Sequence, residues 1–259
     1  MIGVEAARAL QLDAELGGDE LIFTDGVPMV SPARGVASPM PSAPPSPRPR
    51  TTIETVDLRG QSPVARAAEQ LNSLRAIGDL DDFFAALGDL VLYRPEGSGP
   101  ATVLPGAGPN RPTPLLVVAG RFQPEDFELG APLSGKCGEI LGSLFSEASL
   151  QLNLCWRTAL YKSAGSLGHA MLPREKAIFR EIFKVEVGLV RPERILVLGA
   201  PALDVLFGQK LEPAQAQEME FAGIPLSMVW HPLQIAADPA KREETLAQLK
   251  ALEKKIHGK

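Results

Sequence analysis

LLVVAGRFQPEDFELGAPLSGKCGEILGSLF, residues 115–145, is the stretch that decides the fold. Its first five residues are apolar without alternation, which predicts a strand buried on both faces. Gly120 allows a tight exit from that strand, a long polar loop follows, and GKCGEILGSLF has the spacing of an amphipathic helix from about Gly135 to Phe145. The same alternation continues downstream. Strands are predicted at 150–155 (LQLNLC), 194–199 (RILVLG) and 224–230 (IPLSMVW), and a long loop runs from the first of these through Gly168. Helices are predicted from Pro173 (PREKAIFREIFKVEVGLV), over PALDVLF, and from about Pro239 to Lys255. Apolar strands alternating with amphipathic helices imply an α/β protein: a three-layer α/β/α sandwich with a mainly parallel central sheet of about four strands.

Upstream the pattern changes. Residues 4–16 carry a loose helical spacing that Gly17 and Gly18 end, so residues 1–25 read as a short helical segment. Residues 26–60 hold Pro28, Pro32, Pro39, Pro41, Pro44, Pro45, Pro47 and Pro49, a composition that neither continues a helix nor pairs in a sheet and reads as a flexible linker. The folded domain is then expected over 61–259. It opens with a helix from Pro63 to about Ile77 and a second helix capped by Asp79. The proline-broken stretch 93–114 reads as loop or edge strand.

Composition narrows the function. Net charge is −5 and hydrophobic residues make up 45% of the chain, which describes a folding domain without a globally cationic surface for coating nucleic acid. Two cysteines and three histidines, none in C-x-x-C or H-x-x-x-H spacing, are too few for a zinc finger or an iron–sulfur cluster. Cys137 and Cys155 read as reduced core thiols. No apolar run approaches the roughly 20 residues of a membrane span, and the acidic N-terminus lacks the pattern of a signal peptide. A cytoplasmic protein with no membrane partner is the expectation.

In a doubly covered parallel sheet, ligands bind beyond the carboxyl ends of the strands. The loops after the strands ending near Ala119, Cys155, Gly199 and Trp230 are therefore the places to look. The first contains Gly120, Arg121, Phe122 and Gln123, with the carboxylates Glu125, Asp126 and Glu128 close behind. It lacks both the G-x-x-x-x-G-K-[ST] and the G-x-G-x-x-G spacing, which argues against a nucleotide cofactor. The last begins WHPLQ. Pro232 holds His231 extended at the strand end, where a neutral imidazole could donate to a developing oxyanion or stand beside a base. No G-x-S-x-G elbow is present, and hydrolases of the Ser/His/Asp or Cys/His type find no support.

GRFQPEDFE from Gly120, GAPLSGKCGEIL from Gly130, TAL from Thr158, LVRPERILVLG from Leu189, WHPLQ, and then DPAKREETLAQLKAL succeed one another in a distinctive order. In that order the chain resembles the uracil-DNA glycosylase superfamily, and most closely its family 4 branch, over about residues 61–255. The resemblance implies where a flipped base would be handled. Arg121 falls where the family's water-positioning acid stands, Leu133 where its stacking aromatic stands, Ala159 at its base-reading asparagine and His231 at its histidine. Arginine cannot act as a base at neutral pH, alanine offers no hydrogen bond, and leucine has no aromatic face. A site that reads its base by hydrogen bonds loses discrimination of about 10⁴ when they go. Gln123 could restore the amide, and Glu125 or Asp126 the carboxylate.

Family 4 members resemble one another in carrying four cysteines that bind an iron–sulfur cluster. Cys137 and Cys155 do not fall at those positions, and GDLVLYRP stands where the first pair would be, so no cluster and no other cofactor is expected. The resemblance therefore implies a degenerate active site: a domain lost or impaired in base excision, acting as a DNA- or protein-binding module in repair or replication. Its N-terminal helix would meet a protein partner. The alternative is an active glycosylase of altered specificity that uses His231, and a small-molecule-binding α/β domain is a third. Contacts to DNA would come from Lys136, Arg157 and Lys162 beside Arg121 and Arg111, if these line one cleft.

Overall fold

The computed structural model describes residues 63–93, 101–109, 112–164, 170–213 and 219–258. The expected helical segment at 1–25 and the linker at 26–60 lie outside the described residues, as do Arg111 and His169. The backbone divides into two units, Met1–Gly60 and Gln61–Lys259, and every described residue belongs to the second.

That unit is a mixed α/β structure. Its helices are α1 (Pro63–Arg75), α2 (Leu80–Leu87), α3 (Pro124–Leu129), α4 (Gly135–Glu147), α5 (Pro173–Val190), α6 (Ala200–Phe207), α7 (Pro232–Ala237) and α8 (Pro239–His257). Its strands are β1 (Leu116–Arg121), β2 (Trp156–Tyr161), β3 (Ile195–Leu198), β4 (Met219–Phe221) and β5 (Ile224–Val229). They form one sheet in the order β2-β1-β3-β5-β4, parallel except for β4, which pairs antiparallel with β5.

Alternate residues of β1 explain why helices cover both faces. Leu116 and Val118 enter a cluster with Phe83 of α2, Phe179 and Phe183 of α5 and Leu203 of α6. Val117 and Ala119, with Leu115 just before the strand, enter another with Leu141 and Phe145 of α4, Ile235 of α7 and Leu249 of α8. A strand that feeds two cores has no solvent face, hence its unbroken apolar run.

Helix starts follow local chemistry. The Asp79 carboxylate accepts the Asp81 N–H at 2.8 Å to begin α2. Pro173 and Pro239 occupy the first turns of α5 and α8, where no N–H is needed.

Three expectations are corrected. The sheet has five strands rather than about four: a two-residue turn with positive φ at Ala222 and Gly223 folds β4 back onto β5. The strand expected at 150–155 starts later. Leu152–Leu154 is a 3₁₀ turn, and β2 is WRTALY, in register with β1 from Leu116 opposite Trp156. The PEDFEL and PLQIAA stretches, expected as loops, are the short helices α3 and α7. The proline-broken stretch gives an irregular edge: Val103 and Ala107 bridge antiparallel to Ser163 and Arg157 along β2.

Candidate functional site

The chain leaves β1 for β2 on one side and returns to β3 on the other, so the sheet has a switch point between β1 and β3. The connections diverge there: α4 joins the cluster on one face, whereas α6 joins the cluster on the other. Divergent connections open a crevice at the carboxyl ends, the usual ligand position in such sheets. Ala119, Leu198 and Val229 form one registered row across β1, β3 and β5. Two residues beyond that row stand Arg121 and His231, one strand to either side of β3 and about 10 Å apart across the sheet, by the spacing of adjacent strands.

Two close approaches fix the backbone at these strand ends. Gly199 leaves β3 at φ +81°, and a Cβ there would lie 3.0 Å from the His231 Cβ, so only glycine fits both the backbone and the space. A Cβ on Gly120 would meet the Ala202 nitrogen at 3.4 Å, which sets the exit of β1 against the first turn of α6.

His231 caps α7. Its Nδ1 accepts the Leu233 N–H at 3.3 Å, and its own N–H donates to Gln234 Oε1 at 3.4 Å. The residue is only 7% exposed, and burial pushes the imidazole down to about 4. It is neutral at pH 7, and because Nδ1 is an acceptor the proton sits on Nε2. Nε2 has no hydrogen-bond partner among the described residues. The strand end thus presents a fixed, uncharged N–H donor.

The loop after β1 is held by its acids. Asp126 is buried, and its carboxylate accepts the Gln123 N–H at 2.8 Å, the Ser134 N–H at 2.6 Å and the Ser134 hydroxyl at 3.0 Å. Burial pushes its pKa up against these bonds. Glu125 Oε2 accepts the Lys136 N–H at 3.1 Å at the start of α4. Phe122 is buried edge-on to Phe127, with ring centres 6.1 Å apart. Leu133 takes positive φ (51°) and is buried in the same cluster as Phe122 and Ala159.

The expected site residues therefore separate. Gly120, Arg121, Gln123 and His231 stand at the rim. Phe122 and Leu133 belong to the core beneath it, at 3% and 2% exposure. Ala159 lies inside β2 opposite Ala119 rather than at a strand end, because β2 runs on to Tyr161.

Lys162 is a correction. It is not a surface cation: Nζ is paired with Glu186 Oε2 of α5 at 2.9 Å and donates to the Thr158 hydroxyl at 2.8 Å and to the Ala159 carbonyl. Desolvation pulls the pKa of this fully buried lysine down, and Glu186 opposes the fall. Trp156 Nε1 donates to Glu186 Oε1 at 3.1 Å. Arg157 pairs with Val117, four residues before the Tyr161 level, or about 13 Å down the strand. Lys136 is exposed at the start of α4. Of the basic residues expected to line one cleft, Arg157 and Lys162 do not join Arg121 at the rim.

Glu186 was missed in the sequence, although it left a signal. It falls on the apolar stripe Phe179, Ile182, Phe183, Val187 and Val190 of α5, and a carboxylate there requires a buried cation. Cys137 and Cys155 are both buried free thiols pushed up to about 12 by desolvation, which makes them inert as nucleophiles. Among the described residues no group of His, Cys, Asp or Glu is arranged to hold a metal, and no helix is long and apolar enough to cross a membrane.

No protein-family model matches the chain, and no curated protein matches it.

Proposed function

We propose that this is a three-layer domain of the uracil-DNA glycosylase type that no longer excises bases, and that it works in the cytoplasm as a binding module of the repair or replication machinery. The observation that carries this reading is the state of the loop after β1. Excision needs a free carboxylate to position water, and Arg121 falls where the family carries that acid. Of the two substitutes, Asp126 is buried under three donors from Gln123 and Ser134, and Glu125 is turned onto the Lys136 N–H at the start of α4. Leu133 and Ala159 are closed into the core, so neither stacks on nor reads a base. The burial of Lys162 against Glu186 and the place of Arg157 far down β2 favour a protein partner over a DNA-tracking groove, with residues 1–25 as the docking segment on their linker.

The test is base release. Purified full-length chain is incubated with uracil-containing single- and double-stranded DNA, followed by alkaline cleavage at abasic sites. Cleavage should stay at background. Cleavage above background that His231→Ala abolishes would establish an active enzyme built on the neutral His231 donor.

A further inference from the structure

The loop after β1 leaves one cation over. Asp126 and Glu125, its nearest acids in sequence, are turned onto backbone N–H groups and the Ser134 hydroxyl, so neither neutralises Arg121. Arg121 makes no ion pair among the described residues and is partly exposed at the rim. Its charge is felt by the Tyr161 phenol on one side, which it pulls down against the burial that raises it. On the other side, beyond the β3 exit, stands His231, more than nine-tenths buried, with Nδ1 engaged and Nε2 unpartnered. Between them Gly199 caps α6, whose Ala200 and Ala202 N–H groups lack intrahelical acceptors, Pro201 having none to offer. The Arg121 guanidinium, the His231 Nε2–H and the start of α6 all present donors, so the complementary ligand is an oxyanion with several acceptor oxygens.

We propose that Arg121 and His231 form a binding site for a single phosphate group in the crevice between β1 and β3, backed by the first turn of α6. Arginine supplies the charge and a bidentate fork, the imidazole N–H a directed bond, and the helix terminus a favourable dipole. Lys162 faces Glu186 and Arg157 lies far down β2, so neither of them adds a second cation beside Arg121. The inference rests on the proposed function only in taking the strand-end rim as the working face.

The experiment follows the histidine imidazole proton–nitrogen correlations of the full chain during titration with three probes: inorganic phosphate, uridine 5′-monophosphate, and a short oligonucleotide without terminal phosphates. Inorganic phosphate and the monophosphate should shift the His231 Nε2 resonance saturably. Arg121→Gln should weaken that binding by about tenfold or more, and Arg121→Lys by less, since lysine keeps the charge without the fork. Thermal unfolding of both variants checks that the fold is unchanged. A saturable response to phosphate with none to the oligonucleotide assigns the site to small phosphorylated ligands. A response to all three assigns it to a backbone phosphate as well. No saturable shift, or equal affinity in Arg121→Gln, overturns the site. DNA or protein binding unaffected by Arg121→Gln would leave the module standing without it.

Discussion

At the residue scale, burial decides what each titratable side chain does. His231 is held at about 4 by desolvation, against the ordinary 6.5, so between those values the unfolded chain binds a proton that the folded one refuses. Stability from this residue is therefore complete above pH 6.5 and is lost as pH falls toward 4. The loss approaches about 3 kcal/mol at its limit. Chemical denaturation at pH 7 and at pH 4.5 should show a larger drop for the native chain than for His231→Gln; equal drops would mean the imidazole is not desolvated. Lys162 and Glu186 show the opposite strategy, in which two charges share one dry site at 2.9 Å and each makes the other tolerable. That Gly120, Arg121 and His231 stand at strand ends was legible in the sequence, because unbroken apolar runs before them mark strands of a parallel sheet. The Lys162 pairing was not, because a lone lysine after a strand has the same letters whether it meets water or a carboxylate.

At the scale of elements, the edge of the sheet is protected by a strap. Residues 101–109 run beside β2, with the Ala107 N–H donating to the Arg157 carbonyl and the Arg157 N–H to the Ala107 carbonyl. The strap lies directly over the Trp156–Glu186 bond. A Cβ on Gly106 would fall 2.7 Å from Glu186 Oε1 and 2.8 Å from Trp156 Nε1. Gly106→Ala should thus lift the strap or break the bond, at about 1–3 kcal/mol of stability. Denaturation should show the loss, and intrinsic fluorescence the changed environment of Trp156. An unchanged midpoint would place the strap away from the pair. The strand expected at 150–155 shows why this edge was misjudged. LQLNLC has strand-like alternation, but Leu152–Leu154 turns in a 3₁₀ helix with Leu154 44% exposed. The true strand contains Arg157 and is followed by Lys162, charges that suggest a loop unless their partners are known. The β4–β5 hairpin was hidden differently: β4 is three residues long, and its turn puts Ala222, not asparagine, at positive φ.

At the scale of the whole molecule, both apolar clusters are built from the sheet and the helices on its two faces, and all the structure that positions the rim lies within Gln61–Lys259. The chain size of that unit is ordinary for one independently folding domain. Residues 1–60, with their proline-rich linker, have a composition suited to carrying a docking segment rather than to completing a core. Removing them should accordingly separate two properties. The fragment 61–259 should unfold in one cooperative transition within about 2 °C of the full chain, because the contacts that set ΔH and ΔS of unfolding remain. It should keep the proposed phosphate response of His231 and lose the proposed association with a protein partner. A fall of many degrees would show that the first sixty residues complete the core of the domain instead of tethering it. Retained partner binding would move the docking surface onto the α/β unit itself.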